Sequence, residues 1–167
     1  MMKRMPKHLL ILAAASFSML FSYSSSFSEE SKTVYEATIK LSSGFTLEMK
    51  MVPFDKEKHN ITSCKILDWS GVCLIDGKPA FGSDWGIPAF QLVHATLKLN
   101  EEAIELDVSC MFNPWFTKPR DIDFSIISVE GGYILHGEFS WGAGSYRAEW
   151  LVIGNSSIRT KLEQAEC

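Results

Sequence analysis

Between Phe45 and Met51 every second residue is apolar: Phe45, Leu47, Met49 and Met51 alternate with Thr46, Glu48 and Lys50. A two-residue period puts successive side chains on opposite faces of an extended backbone, so this segment can bury its apolar set together only as a β-strand. The pattern recurs along the chain. Tyr35, Ala37, Ile39 and Leu41 alternate with Glu36, Thr38 and Lys40, and further rows are Val93, Ala95, Leu97 and Leu99, then Ile104, Leu106 and Val108, then Tyr146, Ala148, Trp150 and Val152. Segments 122–129 and 132–140 are apolar on both faces, which predicts central strands. Turn residues punctuate these rows at Ser42-Ser43-Gly44, Ser70-Gly71, Asn100-Glu101, Gly131-Gly132 and Gly142-Ala143-Gly144. No amphipathic helical stretch competes. The expected fold is all-β, an antiparallel β-sandwich of about nine or ten strands with a β-barrel as the alternative.

Residues 1–28 have a different character. Lys3, Arg4 and Lys7 precede an apolar run from Leu9 to Phe21, and a serine-rich stretch follows in which Ser26 and Ser28 offer small residues for cleavage before Glu29. This layout predicts a secretory signal peptide over 1–28 and a single all-β domain over 29–167. The run is shorter than the roughly 20 residues of a membrane helix, and no cysteine follows it to take a lipid, so no membrane anchor is expected. The chain carries 16 Lys and Arg against 20 Asp and Glu; without Lys3, Arg4 and Lys7 the balance is 13 against 20, a net charge of −7. Such a charge disfavours nucleic acid and anionic lipid as partners. The short basic segment and compact apolar core suit bacterial export, to the periplasm or as a secreted protein. The sequons at Asn60 and Asn155 would be glycan acceptors only in a eukaryotic secretory route.

Cys64, Cys73, Cys110 and Cys167 all follow Glu29, and an even number of cysteines in an oxidising compartment predicts disulfides. Cys64 and Cys73 flank the turn signal Asp68-Trp69-Ser70-Gly71 and form the natural first pair. A four-residue loop there would set Cys64 opposite Ile75 and Cys73 opposite Ile66, a diagonal at the edge of disulfide reach unless a bulge or another loop intervenes. Cys110 with Cys167 would complete the set; free thiols or an intermolecular bridge through Cys167 are the alternatives. Neither Cys-x-x-Cys nor a Cys/His cluster occurs, so no metal site and no cofactor are expected.

If each connection reverses the chain, the connections alternate between two ends of the domain. One end collects 42–44, 68–71, 100–101 and 130–132, and the other collects the long loops 53–61, 77–89, 111–121 and 141–144. Long loops on a rigid sheet are where binding surfaces are built. The long-loop end gathers Phe81, Trp85, Phe112, Trp115, Phe116 and Trp141, together with Lys118 and Arg120. Trp115, between Pro114 and Pro119, is the ring most expected to face solvent. Aromatic anchors beside Lys and Arg resemble a protein-binding hot spot or a sugar-stacking platform more than a catalytic cleft.

Catalytic patterns are weak. There is no Gly-x-Ser-x-Gly elbow, no His-Glu-x-x-His and no phosphate-cradling glycine loop. After Glu29 the histidines are His59, His94 and His136, and the acidic pairs Asp121/Asp123 and Asp76/Asp84 are ordinary for loops of an acidic protein. The expected function is a non-catalytic exported binding protein, foremost a protein–protein inhibitor or immunity-type module, with a carbohydrate or small-ligand binding module as the alternative.

Overall fold

The computed structural model describes residues 33–165 apart from residue 101. The predicted signal segment 1–28 and Cys167 lie outside the described residues. In chain order the strands are β1 (Tyr35–Lys40), β2 (Phe45–Pro53), β3 (Ile61–Ile66), β4 (Trp69–Ile75), β5 (Lys78–Pro79), β6 (Phe90–Leu99), β7 (Glu102–Glu105), β8 (Phe124–Val129), β9 (Gly132–Phe139), β10 (Tyr146–Ile153) and β11 (Ser156–Gln164). They form three antiparallel sheets, in the orders β1-β2-β6-β7, β11-β10-β9-β8 and β3-β4-β5. Among the described residues the only helices are short 3-10 turns.

The alternating rows fix which side chains point inward. Phe45, Leu47, Met49 and Met51 of β2 are buried, and so are Tyr146, Ala148, Trp150 and Val152 of β10. These rows meet Leu92, Ala95 and Leu97 of β6 and Leu135 and Phe139 of β9 in one apolar cluster that draws on both four-stranded sheets. Outward residues of β2 make cross-strand ion pairs, Lys98 with Glu48 at 2.8 Å and Lys50 with Glu36 at 3.4 Å. Within the core the Trp150 indole N–H donates to the Asp107 carbonyl at 2.9 Å, which satisfies its one polar atom.

The predicted row Ile104, Leu106 and Val108 is cut short because β7 ends at Glu105, and the structure departs from the sequence pattern at four further places. In β6 the register shifts between Lys50 and Met51 of its partner, so Leu92 takes the inward position and Val93 is exposed. Segment 122–129 does not form a central strand: Asp121–Asp123 is a 3-10 turn, and β8 is an edge strand paired only with β9. At β11 the inward positions before its bulge are polar, with Ser157 donating to the Glu105 carbonyl and Arg159 donating to the Asp107 and Ser109 carbonyls, and only Leu162 beyond the bulge packs on the core, which explains why no apolar row marks this strand. The β3-β4 hairpin turns through Leu67 and Asp68, setting Cys64 opposite Gly71 rather than Ile75. A bulge between Thr62 and Ser63 then brings Cys73 within reach, and Cys64–Cys73 is a disulfide with a Cα separation of 5.8 Å.

Candidate functional site

The long loops converge and are tied together by backbone hydrogen bonds. Phe54 N–H donates to the Ala89 carbonyl (2.9 Å), Phe112 N–H to Phe81 (2.9 Å), Asn113 N–H to Phe90 (3.0 Å) and Ser140 N–H to Pro114 (2.9 Å). One side chain reinforces three of these segments. The Asn113 carboxamide oxygen accepts from Ala89 and Phe90 N–H, both at 3.0 Å, and its NH2 donates to the Gly82 carbonyl at 2.9 Å. Gly82 itself has φ +87°, and a Cβ there would overlap the Phe112 carbonyl. Backbone strain gathers here as well, with Asp84, Trp85, Cys110, Asn113 and Ser140 all in the left-handed region without being glycine. Such conformations cost about 1–3 kcal/mol each and persist only where the surroundings over-determine them. Sequence reasoning missed Asn113, because a single Asn in an irregular loop carries no periodic signal.

The converging loops sort the predicted aromatics into two groups. Trp115 is 5% exposed and packs into the main core, which corrects the expectation that its ring faces solvent. The hydrogen bond from Ser140 to Pro114 folds the proline-flanked segment onto the open end of the core, so the ring plugs that end. Phe112 is buried with Val72 and Ile75 of the small sheet, and Phe81 is half-buried against the main core beside Tyr146. Phe116, at 70% exposure, and Trp141, at 62%, are in solvent, and Trp85 is also exposed.

Phe116 and Trp141 line one shallow cleft of about 140 Å³ with Trp115, Lys118, Asp123 and Ser140. A second cleft of about 290 Å³ is also lined by Trp141, with Arg120, Glu138 and Arg147. The Arg120 guanidinium lies over the Trp141 ring, 5.0 Å from its centroid. Asp123 fixes it there: Arg120 Nε donates to both Asp123 oxygens at 3.1 Å, and the Arg120 backbone N–H donates to Asp123 Oδ2 at 3.1 Å. The side-chain hydrogen bond from Arg120 holds the Asp123 carboxyl below its usual range, and the same bond raises the guanidinium. The predicted Phe116, Lys118, Arg120 and Trp141 therefore come together. Ile122, exposed on the turn just after Arg120, joins the same region of chain and was not foreseen.

Trp85 belongs to a different surface. Its backbone carbonyl accepts from Val72 N–H at 2.9 Å, and its side chain lies against Gly71, where a Cβ would come within 2.9 Å of indole Cε3. Trp69 is two residues before Gly71 on β4, so it projects from the same face of the hairpin. It is 80% exposed, and Leu67 at the hairpin tip is exposed with a left-handed φ of +54°. The turn signal at 68–71 gives no hint of either exposed side chain, because the hairpin turns one residue earlier, at Leu67 and Asp68.

The other titratable candidates have structural partners. Asp76 accepts from Asn60 N–H at 2.8 Å and bonds His59 Nδ1 at 2.6 Å; the His59 hydrogen bond holds its carboxyl below the usual range. The His59 ring stacks on Phe54, whose ring meets Phe112 edge-on. His94 bonds Thr96 Oγ1 at 2.6 Å, and His136 faces Glu149 at 3.3 Å. Cys110 is half-buried with no disulfide partner among the described residues, while its expected partner Cys167 lies outside them. No helix among the described residues is long and apolar enough to cross a membrane.

Compared with known proteins, the chain matches no family, no curated protein and no solved structure.

Proposed function

We propose that this chain is an exported, non-catalytic binding protein of inhibitor or immunity type, which seats its long-loop end on a protein partner in the periplasm or outside the cell. The observation that carries the reading is the Phe116–Trp141–Arg120 constellation: two exposed rings and a guanidinium held over Trp141 by Asp123, on loops joined by the Ser140–Pro114 hydrogen bond. Aromatic and arginine side chains that are already ordered lose little entropy on binding and dominate protein interfaces. Of the flanking clefts, the one of about 140 Å³ is well below the roughly 300–1,000 Å³ typical of small-ligand pockets and the one of about 290 Å³ stands at its lower limit, which suits an extended contact better than a fully enclosed ligand. The Cys64–Cys73 disulfide supports an oxidising compartment. Two four-stranded sheets sharing one core support a β-sandwich over a barrel.

The reading is tested by capture of partners from the cell envelope on the oxidised protein, in parallel with a Phe116→Ala/Trp141→Ala variant. A stoichiometric protein retained by the wild type and lost by the variant is the expected result; equal retention by both refutes this surface. Carbohydrate binding is the second reading, and Trp69 and Trp85 on one hairpin face favour it. Quenching of tryptophan fluorescence by wall glycans, abolished by Trp69→Ala, would transfer the assignment to that face.

A further inference from the structure

Segment 122–129 reads as a central strand from its sequence, yet β8, which occupies Phe124–Val129 of it, lies at a sheet edge. The other strands with an open side are protected in the usual way. β1 carries Glu36 and Lys40, β7 carries Glu102 and Glu105, β11 carries Arg159, Lys161 and Glu163, β3 carries Lys65, and β5 is Lys78-Pro79. Charges and proline on an edge prevent strand addition. β8, Phe-Ser-Ile-Ile-Ser-Val, has neither. Val129 and Gly132 flank the two-residue turn Glu130-Gly131 and form the first pair of the ladder with β9. Backbone groups alternate in direction along a strand, so those of Ile126 and Ser128 point to the open edge. The outward face of β8 is apolar too: Ile127 is 58% exposed and continues an in-register row through Ile134 and Leu151 to Ile158, across all four strands of the sheet.

We propose that β8 pairs antiparallel with β8 of a second copy of this chain, joining the two four-stranded sheets into one of eight strands. Two-fold symmetry about the sheet normal requires that residues facing each other across the new ladder share a face. Placing Ile127 opposite its own copy meets that condition. It sets Ile126 opposite Ser128 of the second copy, so that the free backbone groups of both residues exchange hydrogen bonds, and it sets Ser125 opposite Val129. The ladder brings no charged residue of β8 against its like, which matters for an acidic chain whose copies otherwise repel. The apolar rows of the two sheets then meet at the Ile127 pair. A second copy is favoured over a foreign strand because it brings an edge of the same kind, free of charge and proline, whose own apolar outer row ends at Ile127 and so continues the row of the first sheet.

The test is analytical ultracentrifugation of the oxidised protein from micromolar to millimolar concentration. The wild type is expected to show a mass rising toward twice the monomer. Ser128→Pro, which removes an N–H at the open edge and none from the ladder with β9, and Ile127→Lys are each expected to stay monomeric with unchanged circular dichroism. Ile158→Lys alters the same outer face at the opposite edge, and it is expected to dimerise like the wild type. A wild type that is monomeric throughout overturns the proposal. So does an Ile158→Lys variant as monomeric as Ile127→Lys, which would point to packing through the sheet face, and so does a dimer that survives Ser128→Pro.

Discussion

Replacing Gly82 by alanine should damage this protein far more than a single methyl group suggests. At φ +87° an L-residue costs about 1–2 kcal/mol relative to its preferred regions. The new Cβ would also overlap the Phe112 carbonyl oxygen and stand 2.8 Å from Tyr146 Cε1. Neither neighbour can give way: one is backbone bonded into the 81–112 contact, and the other is a fully buried ring stacked on Phe139 at 5.3 Å. Overpacking of that kind costs about 1–3 kcal/mol. Displacing the Gly82 carbonyl from the Asn113 amide at 2.9 Å removes about 1 kcal/mol more. The total is about 3–6 kcal/mol, a large share of the roughly 5–15 kcal/mol that stabilises a domain. Gly77 is the control, because it has a similar φ of +75° and nothing lies within 4 Å of the point its Cβ would occupy, so Gly77→Ala should cost only about 1–2 kcal/mol. Urea unfolding of both variants measures the difference. Equal midpoints for the two would refute the claim that the 82–112 contact locks the long-loop end.

Four further outcomes follow from the same geometry. Trp115→Ala should lose about 3–5 kcal/mol as a buried aromatic, whereas Trp141→Ala should cost only about 0.5–1 kcal/mol, the scale of its exposed cation–π contact with Arg120, as read by thermal unfolding. Asn113→Ala leaves two N–H groups and a carbonyl without partners and should cost about 2–4 kcal/mol; in hydrogen exchange, Ala89 and Phe90 should lose protection first. Reducing Cys64–Cys73, with a sequence separation of 9, should cost about 2.5 kcal/mol on the chain-entropy model, with proteolysis beginning at Leu67. The Asp123 carboxyl is held below its unfolded value by Arg120, so its contribution is complete above about pH 4 and is lost as pH falls through the lowered folded value. Asp123→Asn should therefore lower stability at neutral pH and flatten the acid limb of the stability curve.

The rows of β2 and β10 were legible in the sequence because a regular ladder keeps its phase, and every predicted inward residue of both is buried. Phase was lost wherever a bulge intervened. The one in β6 turned Val93 outward, and the one beside Cys73 produced the disulfide reach that an unbulged hairpin lacks. β8 read as central because apolarity on both faces reports a need for cover, and sequence does not say whether the same chain supplies it. The long loops expected to gather do touch, through Phe54–Ala89, Phe81–Phe112 and Pro114–Ser140, although β5 adds a reversal within 77–89 that simple alternation of chain direction leaves out. Which rings stayed in solvent was not legible: Trp115 and Trp141 have similar local chemistry, and only the fold of Pro114 onto Ser140 separates them. Trp69 was hidden because the turn begins earlier, at Leu67.

The most direct test of the long-loop end as the contact surface is hydrogen exchange on the oxidised protein, free and bound to the partner it captures. New protection is expected at 114–122 and 140–145, around Phe116, Arg120 and Trp141, together with loss of binding in the Phe116→Ala/Trp141→Ala variant. Protection confined to the β3-β4 hairpin or to the outer sheet faces, with that variant binding at full strength, would rule out the long-loop end as the contact surface.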